Sequence, residues 1–462
     1  MTIIERDLVV LGGGPGGYTA AFRAADLGRS VTLVEMEPVL GGVCLNVGCI
    51  PSKTLLHYAE VVDEVEKVAD LGLQFSAPAF DLEKIRTHKA TVVKTLNDGI
   101  ASLAKARSVE VVHGVGTLKS SSELLVGEDT TILFKDLIIA TGSRPIQIPG
   151  IPYEDERVWD STDALALKEI PKRLAIIGGG IIGLEMASIY HALGSEITII
   201  EMADSIIPPA DKDLKAPLLR AIKAAYKQIH LSTKVEKVTA SKKELALTLD
   251  NGKEIGADAV LVAVGRRPNS DSIDLEKAGI AVDRRGFITV DEQLRTNVDH
   301  IYAIGDVTGD PMLAHRAAHQ AKVAAEVACG ETSAFTPLTI PSVAYTQPEV
   351  AWVGLTETEA QQQGIEYLKG SFPWQASSRA MSALAATGVS KALFDAKTKR
   401  LIGAGICGKN AGELIAEALI ALEMGAVSED IALAVHAHPT LSETFAIASE
   451  LVEKRATDTL NR

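Results

Sequence analysis

Two segments of this 462-residue chain repeat one pattern at a fixed distance. Segment 7–36 reads as an apolar strand, a glycine-rich turn, an alanine-rich helix and a second strand, and segment 173–202 follows the same order. Each carries G-x-G-x-x-G between its first strand and its helix, and Gly12 and Gly178 lie 166 residues apart. Strands alternating with helices in this way are typical of α/β folds. We therefore expect two related α/β domains.

The motif in each segment predicts a dinucleotide site. The first glycine permits a tight turn, the second lets the backbone approach a pyrophosphate, and the third lets the helix pack against the strand. An acidic residue 18 positions past the last glycine is placed to bind a ribose. The alternative is that the glycines serve packing alone. The predicted binding residues are Gly12, Gly14, Gly17 and Glu35 in the first segment and Gly178, Gly180, Gly183 and Glu201 in the second.

Glu201 also predicts which nicotinamide cofactor is used. A carboxylate at this position repels a 2′-phosphate, so the second site should prefer NAD over NADP.

Charge and hydropathy exclude several kinds of partner. The net charge of −14 argues against nucleic acid, because phosphate binding needs clustered Lys and Arg. No apolar run is long enough to span a bilayer, and the N-terminus enters a strand without the basic region of a signal peptide. With only four cysteines, the chain is expected in a reducing compartment, the cytoplasm.

Two of those cysteines, Cys44 and Cys49, lie in GGVCLNVGCIPSK. A metal site would need two more ligands, but the other cysteines, Cys329 and Cys407, are isolated and no paired-His motif is near. A structural disulfide here would constrain little chain. We favour a redox pair over both alternatives.

The spacing of the pair sets a geometric condition. Residues five apart in a regular helix have Cα atoms roughly 8–9 Å apart, whereas a disulfide needs less than about 7 Å. The backbone should therefore depart from a regular helix, which Gly48 and Pro51 make easy. A helix that begins near Cys49 would favour its thiolate.

These motifs, together with ATGSRP, AIGDV, LAHRA and the terminal HAHPTLSE, resemble the pyridine-nucleotide disulfide oxidoreductases over about residues 5–455. The resemblance implies a FAD site in the first segment, an NAD site in the second, and a C-terminal α+β dimerisation domain. The domains predicted are 1–145 (FAD-binding), 146–270 (NAD-binding), 271–340 (completing the FAD site) and 341–462 (interface).

Within that family, the likeness is greatest to FAD-dependent enzymes that reoxidise dihydrolipoyl groups. Electrons would pass from the dithiol to the Cys44–Cys49 disulfide, then to FAD and to NAD. The implied partners are a second copy of the chain and a lipoyl-bearing E2 core or H-protein. Glutathione reductase is an alternative, but it prefers NADPH, whose 2′-phosphate Glu201 would repel. Mercuric and large thioredoxin reductases are further alternatives, but they carry a C-terminal thiol or selenol pair that this tail lacks. A flavoprotein that acts mainly as an assembly subunit is another alternative.

The resemblance also assigns residue roles. Cys44 would exchange with substrate and Cys49 would lie against the flavin as the charge-transfer thiolate. Lys53, paired with Glu185, would lie near the flavin ring. The remaining predicted cofactor contacts are Gly116 near the adenine, Asp306 at the ribityl chain, Ala314 at the flavin, and Ser143 and Gly265.

The C-terminal motif has two interpretations. By itself, Thr440 with Glu443 fits a capping box that opens the last helix. In the family, the His of HPxxxE is the acid/base and the Glu orients it, which assigns His438 and Glu443 and leaves His436 a structural role. The resemblance further implies that this His serves the thiols of the other subunit.

Overall fold

A computed structural model describes residues 2–69 and 71–461. Its first sheet has the strand order β3-β2-β1-β6-β5-β4, and β1 runs parallel to both β2 and β6. Leu8–Leu11 of β1 are almost fully buried, as expected of a parallel strand covered on both faces. The strands are β1 (Thr2–Leu11), β2 (Val31–Glu35), β3 (Glu110–His113), β4 (Gly116–Ser120), β5 (Glu123–Val126) and β6 (Thr130–Ile139), with helices α1 (Pro15–Asp26), α2 (Gly42–Val47), α3 (Cys49–Ala69) and α4 (Leu82–Ala106).

The second repeat builds a similar parallel sheet, ordered β11-β10-β9-β15-β8, beside a small antiparallel sheet β12-β13-β14. In both repeats the strand before the glycine turn is central, which confirms the expected pair of dinucleotide-type folds. The elements are β7 (Ser143–Pro145), β8 (Val158–Trp159), α5 (Ser161–Ala166), β9 (Arg173–Ile177), α6 (Ile181–Ala192), β10 (Glu196–Ile200), α7 (Lys212–Ala225), β11 (Gln228–His230), β12 (Val235–Ala240), β13 (Leu245–Leu249), β14 (Glu254–Ala257), β15 (Ala259–Val262) and β16 (Arg266–Pro268).

A two-stranded ribbon connects the two folds. β7 pairs antiparallel with β16, with Ser143 opposite Pro268 and Pro145 opposite Arg266. The two sequence motifs SRP and RRP therefore pair directly with each other. After the ribbon, β17 (Ile301–Ala303) returns to the first sheet and pairs parallel with β6. The helix α8 (Ala314–Ala328) then packs against α1.

The C-terminal part is an α+β unit, as predicted from the sequence. Its antiparallel sheet has the order β18-β19-β22-β21-β20. The elements are β18 (Ser342–Ala344), β19 (Glu349–Gly354), α9 (Glu357–Gln362), β20 (Tyr367–Pro373), α10 (Ser378–Ser382), β21 (Val389–Asp395), β22 (Leu401–Gly408), α11 (Ala411–Glu423), α12 (Ser428–Leu433) and α13 (Glu443–Val452).

A cluster of charges centred on the buried Lys391 joins the second nucleotide fold to the C-terminal α+β unit. The Lys391 Nζ donates to Asp211 and Asp213 at 2.7 Å each and to Glu357 at 2.8 Å. Lys369 also reaches Asp213 and Glu357, at 3.0 Å. We call these five residues the Lys391 cluster.

Two expected helices are present with revised bounds. The helix predicted at 53–70 begins four residues earlier, at Cys49, and extends to Ala69; position 70 lies outside the described residues. The helix predicted at 82–106 is α4. In the part of the chain that the structure describes, no helix is long and apolar enough to cross a membrane.

Candidate active site

Both glycine turns have the geometry that a dinucleotide requires. Gly12 and Gly178 have φ of +105° and +113°, a region that favours glycine. A Cβ on Gly17 would lie 1.7 Å from the Gly12 carbonyl oxygen, and one on Gly183 would lie 2.2 Å from that of Gly178. The third glycine of each motif therefore permits the close approach of helix to turn.

The helices after these turns begin without side-chain caps. Gly14 and Gly180 are the N-caps of α1 and α6, and neither helix has a side-chain cap among the described residues. Free N–H groups at a helix N-terminus are suited to a phosphate. The turns thus fit the pyrophosphate of FAD or NAD.

The two acids hold matching positions beside their turns. Glu35 Oε2 accepts a hydrogen bond from the Gly13 N–H at 2.6 Å, and Glu201 Oε2 accepts one from the Gly179 N–H at 2.6 Å. Each carboxylate is fixed at the carboxyl end of the second strand of its repeat, β2 or β10, where ribose hydroxyls would meet it. Gly13 was not predicted as a site residue, although a Cβ there would lie 2.7 Å from Glu35.

The thiol pair lies at a helix break. α2 ends at Val47, Gly48 has φ −135° and ψ −111°, and α3 begins at Cys49. A Cβ on Gly48 would lie 2.8 Å from the carbonyl oxygen of Val43. Both thiols are free, Cys49 is exposed and Cys44 is half-buried. The predicted departure from a regular helix is confirmed, and the start of α3 at Cys49 meets the condition under which the helix would favour a thiolate there.

The two thiols have opposite acidities. The hydrogen bond from Cys44, with help from the Lys53 charge, lowers the pKa of Cys49 to about 7, although Glu185 and partial desolvation by the surrounding chain oppose the change. The same hydrogen bond and burial raise the pKa of Cys44. The lower pKa favours a thiolate at Cys49 over one at Cys44.

Lys53 and Glu185 form an ion pair next to the thiols. Lys53 Nζ lies 2.9 Å from Glu185 Oε2, and the buried Ser52 hydroxyl donates to the same oxygen at 2.9 Å. Glu185 also accepts from the Tyr345 N–H at 3.2 Å, and Lys53 Nζ lies 4.3 Å from the Tyr345 ring centroid. The expected pairing is observed, whereas Ser52 and Tyr345 were not foreseen, since no local pattern marks them.

A second polar chain joins the ribbon to Asp306. Arg266 Nε donates to Ser143 Oγ at 2.7 Å, and Ser143 Oγ donates to Asp306 Oδ2 at 2.6 Å. Gly265, with φ +118°, precedes this arginine. Ser143, Gly265 and Asp306 were predicted as site residues. Arg266 was not, although the repeated Arg-Pro motif marks its segment.

The other predicted contacts lie at element ends. Gly116 begins β4, where a Cβ would lie 2.5 Å from the Leu11 side chain. Ala314 is the first residue of α8. Both positions lie in or beside the first sheet, and their roles remain predictions.

His438 is paired with Glu443. The His438 Nδ1 lies 2.8 Å from Glu443 Oε1, while Glu443 Oε2 accepts from the Thr440 N–H at 2.6 Å. Burial would raise the pKa of Glu443, but these hydrogen bonds outweigh it and lower that pKa. Glu443 can therefore orient the histidine and bond the chain before the helix at once.

The capping-box interpretation is wrong in one respect. α13 begins at Glu443 with Ser442 as N-cap, and the Thr440 hydroxyl donates to the Ala437 carbonyl instead of capping the helix. His436 bonds Glu417 Oε1 at 2.6 Å. Among the described residues, no hydrogen bond or ion pair joins His438 to Cys44 or Cys49.

Comparison with known proteins identifies the family. The model of the pyridine nucleotide-disulphide oxidoreductases matches residues 6–321, and that of their dimerisation domain matches residues 340–449. The chain belongs to this family of flavin- and pyridine-nucleotide-dependent disulfide oxidoreductases, which confirms the predicted family, fold class and enzyme class.

Similar curated proteins narrow the class. The chain is 52% identical to a dihydrolipoyl dehydrogenase of Vibrio parahaemolyticus, covering 99% of this chain and 98% of that protein. It is 51% identical to one of Haemophilus influenzae, covering 99% and 97%. Among solved structures, the HOCl-induced flavoprotein disulfide reductase RclA of Escherichia coli superposes with a TM-score of 0.88 at 29% identity, covering 96% of this chain and 100% of that one.

Proposed function

We propose that this protein is a dihydrolipoyl dehydrogenase that binds FAD at the first glycine turn and uses NAD at the second. The observation that carries the proposal is the Cys44–Cys49 pair, which lies within the first nucleotide fold, between β2 and α4, and holds one thiol with a pKa of about 7. The close relatives named above support the substrate class.

The chain's own residues suit a dithiol–disulfide exchange. In the oxidised enzyme, a substrate thiolate attacks Cys44 Sγ, and Cys49 leaves as a thiolate. The second substrate thiol then attacks the mixed disulfide, which releases Cys44 and the oxidised lipoyl group. Cys49 suits the leaving role because a thiol of lower pKa leaves faster. When bound, FAD supplies the two-electron acceptor that links the reduced pair to NAD.

His438 is the proposed acid/base for the substrate thiols. Its side chain is 72% exposed, so its free ring nitrogen can meet a partner molecule. Four exposed apolar side chains precede His438 in the sequence and lie in or just after α11 and α12: Ile420, Met424, Leu433 and Val435. We propose that these residues belong to a homodimer interface, across which His438 serves the thiol pair of the second subunit.

The nicotinamide preference and the partners follow from the same site. Glu201, fixed beside Gly179, would repel the 2′-phosphate of NADP. The substrate would arrive on a lipoyl-bearing E2 core or an H-protein, in a reducing, cytoplasmic compartment that suits free thiols.

Titration with dihydrolipoamide tests the proposal. The purified protein should be yellow and dimeric by light scattering, and dihydrolipoamide should produce a long-wavelength thiolate–flavin band. Cys49→Ser should abolish that band. NADH formation should far exceed NADPH formation. Turnover of glutathione disulfide with NADPH, without turnover of dihydrolipoamide, would overturn the proposal.

A further inference from the structure

Tyr345 touches both members of the ion pair beside the thiols. Its ring centroid lies 4.3 Å from Lys53 Nζ, and its backbone N–H donates to Glu185 Oε1 at 3.2 Å. The three residues come from three parts of the chain: Lys53 from α3, Glu185 from α6, and Tyr345 from the connection between β18 and β19. The ion pair is therefore completed where all three parts meet.

The position of the Lys53 ammonium matters because it is four residues past Cys49 on the same helix. Residues at this spacing share one face of the helix. A lysine has a long, flexible stem, and this side chain is 36% exposed, so water competes for its ammonium. The aromatic face of Tyr345 attracts the ammonium and competes with water for it.

We propose that Tyr345 is a positioning residue of the redox site, whose ring holds the Lys53 ammonium beside Glu185 and Cys49. The inference rests on the proposed function only in giving the thiols a redox role. Without the ring, the ammonium keeps its ion pair with Glu185 but gains freedom to turn toward water, and the Cys49 thiolate loses part of its stabilisation.

Other charged or titratable groups also face Cys49 and Tyr345. Cys49 faces the Cys44 thiol from α2, Glu185 from α6 and Arg266 from β16. Tyr345 faces Glu349 and Glu413 in addition to Glu185. Glu349 bonds the Gly412 N–H at 2.8 Å, and burial raises its pKa. None of these contacts requires the Tyr345 ring, so removing the ring tests the Lys53 contact.

The test measures when the reduced thiol pair ionises. Reduced protein is alkylated with iodoacetamide over a range of pH, and peptide mass spectrometry reports the rate at each cysteine. Tyr345→Phe keeps the ring, and Tyr345→Met replaces it with a flexible chain of similar length; both keep the backbone N–H. Lys53→Met removes the charge altogether. Thermal melting establishes that each variant is folded, and Tyr345→Leu replaces Tyr345→Met if the latter is not.

We expect the reduced thiol pair to ionise at the same pH in the wild type and in Tyr345→Phe. Tyr345→Met should shift the midpoint upward by about 0.5–1 pH unit, and Lys53→Met by more. In the Lys53→Met background, Tyr345→Met should add no shift. A folded Tyr345→Met protein with the wild-type midpoint, or an equal shift in the Lys53→Met background, would overturn the proposal. Because no substrate is used, absence of dihydrolipoamide turnover would count against the proposed function alone.

Discussion

At the scale of single residues, two histidines two positions apart have different partners. His438 is exposed and bonded to Glu443, whereas His436 is largely buried and bonded to Glu417, whose charge raises the pKa of His436 against the effect of burial. His438→Gln should lower kcat by about 10²–10⁴-fold, the usual contribution of an acid/base. His436→Gln, the matched control, should act mainly on the melting temperature. Steady-state kinetics with dihydrolipoamide measure kcat in both variants. Equal losses of kcat would contradict the assignment of His438, and not His436, as the acid/base.

The repeat supplies a matched pair of acids for a second prediction. Glu201→Gln keeps an acceptor for the Gly179 N–H but removes the charge. We expect the kcat/KM for NADP to rise about tenfold relative to NAD, since one removed repulsion of about 1.4 kcal/mol corresponds to that factor. Glu35→Gln makes the same change in the first fold and should weaken FAD retention without altering nicotinamide preference. A preference that shifts equally in both variants would refute the distinction.

At the scale of elements, a glycine at a turn and a glycine within α4 differ in whether a side chain would fit. Gly17 has no room for a Cβ, which would lie 1.7 Å from the Gly12 carbonyl oxygen. Gly17→Ala should displace α1 and abolish FAD binding, measured by flavin absorbance after gel filtration. Gly99, exposed within α4, would meet no described atom within 4 Å. Gly99→Ala should retain flavin and stabilise the protein by about 0.5–1 kcal/mol. Flavin retained in Gly17→Ala would contradict the packing argument.

Elements with a strong local pattern could be predicted from the sequence. The two glycine motifs gave both nucleotide folds because strand, turn, helix and acid are set by neighbouring residues. The break in regular helix between Cys44 and Cys49 followed from the five-residue spacing and Gly48. Tyr345 and Arg266 could not be predicted, since each meets its partners only after distant segments fold together.

At the scale of the whole molecule, the Lys391 cluster joins the second nucleotide fold to the C-terminal α+β unit. The Lys391 side chain is 3% exposed and bonds three carboxylates from two parts of the chain. Lys391→Met would leave those carboxylates without their buried cation and should destabilise the protein by about 3–5 kcal/mol. Lys369→Met removes a more exposed member and should cost about 1 kcal/mol or less. Denaturant unfolding measures both, and equal costs would contradict this account.

The same cluster predicts acid sensitivity. Burial would raise the pKa of Asp213, but the hydrogen bonds and charges of Lys391 and Lys369 lower it to about 2. A carboxyl whose folded pKa lies below its usual 3.8 stabilises the fold above about pH 4 and loses that effect as the pH falls to about 2. Unfolding midpoints between pH 2 and 5 should therefore fall more steeply in the wild type than in Lys391→Met. Parallel curves would rule out the Lys391 cluster as the cause of the acid sensitivity.

No sequence pattern predicted the Lys391 cluster, because Lys391 lies 180 residues from Asp211.

The return of β17 to the first sheet has a consequence for the order of events on the ribosome. The strand at Ile301–Ala303 pairs with β6, which ends at Ile139, and the entire second nucleotide fold is encoded between them. Synthesis proceeds from the N-terminus at about 5–20 residues per second. The sheet that is begun first therefore lacks one of its strands until the second fold has emerged, and a nascent chain that stalls before residue 301 exposes an open edge of β6.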